Sequence, residues 1–200
     1  FIIGHQARIR APCEENLVEF FIDEGYFGWL VPESTKIARL GICSLNKANY
    51  YFDKLHKLRP GKILEWQSGL IPLYDPKVVT EKHNVYLVGD AATQVKASTL
   101  GGIIPGMMAA EALATALAEG KSYERLWRKK IGLELWMHLQ IHKMMLQKFH
   151  EQDYNKLLRL VRQPRITNLI STHDREFPSL LLAKMALLEP RFLQYLRFLW

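Results

Sequence analysis

Apolar and polar positions alternate through residues 1–43, where β-branched and aromatic residues are frequent. The alternation predicts strands at residues 2–10, 17–22, 26–31 and 36–43. The segments between them, Asp23-Glu24-Gly25 and Pro32-Glu33-Ser34-Thr35, are turn chemistry, so three or four antiparallel strands in a meander are expected. Ser44 or Asn46 is placed to cap a helix from Lys47 to about Leu58, ended by Arg59-Pro60-Gly61. Residues 62–74 read as another extended stretch. It returns the chain to Val85, Tyr86, Leu87 and Val88, an apolar run read as a buried strand.

The pattern changes after Pro105. Met107 to Glu119 is a strong helix former closed by Gly120. Ser122 then starts a long amphipathic helix through about Phe149, with an apolar stripe of Leu126, Trp127, Leu135, Met137, Ile141, Met144 and Met145. Residues 152–200 are expected to form three or four shorter helices broken at Pro164, Pro178 and Pro190. The expected fold class is therefore α+β, with a sheet-rich front and an all-helical tail.

The 200 residues are 48% hydrophobic, enough for one or two packed units. The first residue is Phe1 rather than Met, which reads as a cut within a larger protein, and no secretory leader is visible. Cys13 and Cys43 are too few for a disulfide framework and read as small apolar residues of a reducing compartment. No uncharged apolar run reaches the ~18 residues of a membrane span. The net charge of +7 is uneven: residues 1–120 hold 12 Lys+Arg against 13 Asp+Glu, residues 121–200 hold 15 against 7. The basic tail suits an anionic partner such as a lipid surface, or keeps a helix face solvated. Arg125 to Lys130 has no recognition motif beside it, so nucleic acid is not an expected partner. The segment 180–200 interleaves Leu, Met, Phe and Trp with Lys184, Arg191 and Arg197, which fits packing on the body with a membrane-facing edge.

Candidate chemistry concentrates where the Val85–Val88 run ends in Gly89-Asp90-Ala91-Ala92. Residues 97–108 are all small or apolar, an unusual composition for an exposed loop. Gly101 and Gly102 allow close backbone approach, and Pro105 suits a first helical turn. A carboxylate facing bare helix N–H groups can hold a polyol through Asp90 and an electron-rich ring at the helix end. A flavin dinucleotide needs both. In Tyr26-Phe27-Gly28-Trp29-Leu30-Val31-Pro32, Tyr26 and Trp29 are expected to point to the same side of the sheet as a broad apolar wall. His138 and His142 have the spacing of a zinc pair, but no third ligand is evident and no metal is expected.

Residues 85–106 resemble the second flavin-binding motif of the geranylgeranyl reductase family of FAD-dependent oxidoreductases, of which the archaeal lipid reductases are similar members. That motif runs close to Gly-Asp-Ala-Ala-x-Gln-Val-Lys-x-x-x-Gly-Gly-Gly-Ile, and Leu100 stands here in place of its first glycine. The stretch from Tyr26 to Pro32 resembles the same family's Tyr-x-Trp-x-Phe-Pro motif, with Val31 for Phe. The resemblance implies part of a glutathione-reductase-like α/β FAD fold. It divides the chain into a substrate-binding antiparallel sheet (1–80), the end of the FAD domain (81–120) and a helical domain (121–200). Gly89, Asp90, Ala91, Gly101, Gly102 and Ile103 would hold FAD; Tyr26, Trp29 and Pro32 would meet substrate, with Tyr26 a candidate proton donor. No Gly-x-Gly-x-x-Gly is present, so the adenosine half of the site is expected upstream of Phe1, and these residues alone should hold FAD weakly or not at all.

The implied reaction is saturation of geranylgeranyl (polyprenyl) chains, with electrons from NADPH or a ferredoxin-like protein. Its place would be the cytoplasm or, as a peripheral protein, the inner face of the cell membrane. A related flavoprotein monooxygenase or halogenase is the enzymatic alternative, and a non-catalytic lipid-docking module the other.

Overall fold

The structure, a computed structural model, describes every residue except Glu24, Arg175, Leu199 and Trp200, and every other side chain except those of Asp23, Leu146 and Gln147. Glu24 of the expected turn and the end of segment 180–200 thus lie outside the described residues. The chain packs as two compact units, Phe1–Pro72 and Leu73–Trp200.

The first unit is an antiparallel sheet of β1 (Ile2–Arg10), β2 (Glu19–Asp23), β3 (Tyr26–Ser34), β4 (Ile37–Ser44) and β5 (Lys62–Ile71), with one helix, α1 (Ala48–Leu58). Its order is β2-β3-β4-β1-β5. The expected meander holds for β2, β3 and β4, and β1 lies between β4 and β5, pairing with both. Alternation sends Ala7, Ile9, Leu30, Leu40 and Ile42 to one face, where they form a core with Phe52 and Leu55 of α1.

Two local expectations are corrected. Strand β3 continues through Pro32 to Ser34, and the turn shrinks to Thr35-Lys36. Pro32 is tolerated because β2 pairs β3 only as far as Leu30, so no ladder partner is denied an N–H on that side. The start of α1 uses neither expected cap. Lys47, in the left-handed conformation (φ 52°), turns the chain into the helix without a side-chain bond. Ser44 cannot serve because it is the buried last residue of β4.

In the second unit the Val85–Val88 expectation is corrected. Only Val85–Tyr86 (β7) is strand, paired with Glu81–Lys82 (β6), and Val85 is 65% exposed. A buried strand needs sheet neighbours, and the described residues supply one short one. A 3₁₀ turn, Gly89–Ala92, leads to α2 (Ile103–Glu119), which begins four residues before the expected Met107 and ends at left-handed Gly120.

Ser122 Oγ accepts from the Arg125 N–H, as an N-cap should. The long helix that follows is α3 (Tyr123–Trp127), a π-helical turn (Arg128–Gly132), α4 (Leu133–Lys143) and a second π turn (Met144–Lys148). The first π turn changes which residues face inward. Tyr123, Trp127, Ile131, Leu135 and Leu139, spaced by four, are buried with Ala109, Ala112 and Ala116 of α2. An uninterrupted α-helix would rotate such a series off one face. Met137, Ile141, Met144 and Met145 of the expected stripe are consequently only half-buried. Beyond lie α5 (Glu151–Val161), α6 (Pro164–Thr172), α7 (Pro178–Leu188) and a 3₁₀ helix (Pro190–Phe198). Each expected proline break opens an element, where the missing N–H costs nothing.

Candidate functional site

Gly89 begins the site with a left-handed backbone (φ 68°). A Cβ there would meet nothing within 4 Å, so conformation rather than space requires glycine. Both of its peptide groups are held by one residue. The Gly89 N–H donates to Gln94 Oε1 at 2.7 Å, and the Gln94 N–H donates to the Gly89 carbonyl at 3.0 Å. Gln94 is fully buried, and its Nε2 donates to the Tyr123 hydroxyl at 3.0 Å. That hydroxyl donates to the Leu87 carbonyl at 2.9 Å. Burial raises the Tyr123 pKa, keeping the phenol a proton-bearing donor.

Asp90 and Ala91 are exposed at the turn. A Cβ on Gly102 would come within 2.9 Å of Asp90 Oδ1, so the carboxylate lies against the start of α2 because that position is glycine. No side chain caps α2, its first turn holds no acid, and Pro105 offers no N–H. Helix geometry therefore leaves the Ile103 and Ile104 amides directed beyond the helix end, next to Asp90. Ile103 is 79% and Met107 64% exposed on the same turns. A carboxylate, bare amides and apolar side chains together fit a flavin: a hydroxyl for Asp90, a polar ring edge for the amides, ring faces for the apolar groups.

The loop between turn and helix is tightly folded. The Lys96 N–H donates to the Gly101 carbonyl at 3.0 Å, and the Leu100 N–H to the Lys96 carbonyl at 2.7 Å. Leu100 has φ 58°, so it takes a glycine-like backbone where the family motif has glycine. A non-glycine residue bears a cost of about 1–2 kcal/mol there. Lys96 crosses Gly101 to a mostly buried ion pair with Glu176. His138 Nδ1 bonds Ser98 Oγ at 2.6 Å, while its Nε2 is buried without a partner. Burial, then Lys96, pushes the His138 pKa down to about 4. Burial lowers the His142 pKa, against an opposing effect of the Ala97 backbone. The two histidines pack on the loop as neutral rings, and no cluster of three metal-ligating side chains occurs among the described residues.

The sheet motif is rearranged relative to expectation. Tyr26 and Trp29 are three residues apart, so strand alternation puts them on opposite faces. Tyr26 is buried on the α1 face and stacks on Tyr51 at 5.1 Å. Trp29 lies on the other face, where Nε1 donates to Gln6 Oε1 at 3.2 Å and the ring covers Gly41. Its aromatic neighbours there are Phe27 and, stacked on Phe27, Phe20. Pro32 is half-buried in β3. These residues belong to one packing unit and the Gly89–Ile103 segment to the other. Sequence reasoning missed Phe20 and Phe27 through the parity of the strand. It matched Gln94 to the family motif without giving it a role, which only its buried bonds to Gly89 and Tyr123 show.

No protein-family model matches the sequence. Two relatives are named digeranylgeranylglycerophospholipid reductases. One, from Methanothermobacter thermautotrophicus, is 32% identical over 70% of this chain and 40% of its own length. The other, from Methanothrix thermoacetophila, is 26% identical over 78% of this chain and 46% of its own. The chain thus spans less than half the length of these curated relatives. In fold it matches a geranylgeranyl bacteriochlorophyll reductase-like protein from Thermoplasma acidophilum, with a TM-score of 0.67 and 22% identity over 100% of this chain and 55% of that one. The flavin-dependent halogenase CmlS matches with a TM-score of 0.57 and 11% identity, over 88% of this chain and 41% of that one. With the expected antiparallel sheet and helical tail in place, this is the fold of flavin-enzyme reductases and halogenases. By these relatives the chain belongs to the geranylgeranyl reductase family.

Proposed function

We propose that this chain supplies the flavin turn and the substrate sheet of an FAD-dependent reductase that saturates polyprenyl lipid chains. The observation that carries the reading is the contact of the Asp90 carboxylate with the uncapped start of α2 across Gly102. Asp90 accepts a ribityl hydroxyl, and Gly101, Gly102 and Ile103 bring backbone to the ring. The positive helix end favours negative charge on the ring's polar edge. Gly89 and Ala91 give the turn its shape and leave room beside Asp90. When bound and reduced, the flavin supplies the hydride for a carbon–carbon double bond. The face carrying Trp29, Phe27 and Phe20 offers a hydrocarbon chain an aromatic wall, in place of a Tyr26–Trp29 pair. Tyr26 is not retained as proton donor, because its ring is packed under α1.

Reducing equivalents come from a nicotinamide or a small iron–sulfur protein. Among the described residues no helix is long and apolar enough to cross a membrane. A peripheral seat on an anionic membrane is part of the proposal; it rests on the basic charge of residues 121–200 and on exposed Leu187, Leu193 and Leu196. The test reduces the flavin of the intact polypeptide under anaerobic conditions, adds a geranylgeranyl lipid and follows product mass. A gain of two mass units per double bond is expected. Unchanged lipid, with oxygen consumed to hydroxylate or halogenate an aromatic substrate, would establish the monooxygenase or halogenase reading instead.

A further inference from the structure

Gln94 and Tyr123 form a two-residue bridge from the helical region to the turn that presents Asp90. The bridge is buried throughout, Gln94 and Tyr123 being 0% exposed. It has a single hydrogen-bond direction. The Tyr123 hydroxyl spends its proton on the Leu87 carbonyl, so it can only accept from Gln94 Nε2. That fixes the amide orientation of Gln94 and leaves Oε1 as the acceptor for the Gly89 N–H. With the Gly89 carbonyl also held by Gln94, neither peptide plane beside Gly89 can rotate without breaking a buried bond. Those planes set where Asp90 emerges. The left-handed φ of Gly89 is the conformation that needs such support, since glycine alone would sample many others.

The anchor is itself rigid. Tyr123 opens α3, whose next turns bury Trp127 and Ile131 against α2, and α2 carries the amides facing Asp90. Carboxylate and helix end are thus referred to the same packed block.

We infer that Gln94 and Tyr123 are positioning residues for flavin binding: they act through Asp90 and touch no cofactor themselves. This rests on the flavin reading above. The experiment is a double-mutant cycle in the intact polypeptide, reading flavin affinity by titration and fold integrity by thermal unfolding. Tyr123→Phe removes only the hydroxyl, and Gln94→Met keeps the volume while removing both amide ends. Each breaks two buried hydrogen bonds and is expected to weaken flavin binding by about five- to tenfold through the turn. In an Asp90→Ala background the same changes should have no further effect on affinity, because the group they position is gone. Losses that add in full to that of Asp90→Ala, or Tyr123→Phe and Gln94→Met proteins that unfold earlier yet hold flavin as tightly, would overturn the inference and leave a purely structural bridge. Full-length wild-type polypeptide, with the adenosine half of the site expected upstream of Phe1, that takes up no flavin would instead sink the flavin reading itself.

Discussion

The sheet unit closes one face under α1 and leaves Phe20 and Phe27 exposed on the other, whereas the flavin turn leaves open backbone amides as well as apolar groups. In residues 1–72 every strand has a ladder partner, and the inward positions of β1, β3 and β4 are closed over by Phe52 and Leu55 of α1. In the segment from Val85 to Met107, strand pairing stops after two residues, the helix end has no cap, and Ile103, Met107 and Val85 lie open. Exposed apolar groups beside uncapped amides and a carboxylate add little to a monomer's stability. They have value where a ligand with both apolar and polar edges fills the space. On the proposed reading the α1 face of the sheet serves stability, while the turn and the opposite face with Trp29, Phe27 and Phe20 serve binding.

That contrast breaks first at Phe52. Phe52→Ala leaves a cavity under the sheet and is expected to cost about 3–5 kcal/mol of stability, read by urea unfolding. Flavin bound per folded molecule should stay the same; a parallel loss of flavin would show that the two regions are not separable.

A smaller effect belongs to His138, below the loop. In the folded chain its pKa is about 4, against 6.5 when unfolded. Between those values the unfolded chain binds more protons. Stability that is whole above pH 6.5 is therefore lost as pH falls toward 4, by up to about 3 kcal/mol at about 1.4 kcal/mol per unit. His138→Gln should flatten that acid limb. An unchanged slope would place the acid sensitivity elsewhere.

Much of this was legible in the sequence because local chemistry and tertiary context agreed. Alternation marked β1 to β4, Ser122 and Gly120 marked helix ends, and Pro164, Pro178 and Pro190 each opened an element where a break was expected. The failures came where context decides. Val85 to Val88 has strand composition, yet a strand forms only as far as a neighbour pairs with it. The long helix hides two π turns, which shift the buried face from Ile141 and Met144 to Ile131 and Leu139, and no residue type announces a π turn. Lys47 enters α1 through a left-handed backbone that lysine does not favour. Tyr26 and Trp29 were a matter of counting: period two separates positions three apart. In the site, Asp90 and Gly102 could be singled out by residue type, and Ile103 through the family resemblance. The bridge from Gln94 to Tyr123 could not, since its bond spans 29 residues and exists only once α3 is packed.

The smallest expected change in stability goes with the largest in binding, at Asp90. Flavin titration of the intact polypeptide against its Asp90→Ala variant, alongside unfolding of both, tests the division most directly. The carboxylate is exposed, so stability should move by no more than about 0.5 kcal/mol. Flavin affinity should fall at least about tenfold, as loss of a charge-assisted hydrogen bond to a hydroxyl requires. An Asp90→Ala protein that binds flavin as tightly as wild type would contradict the assignment of this turn as the flavin site.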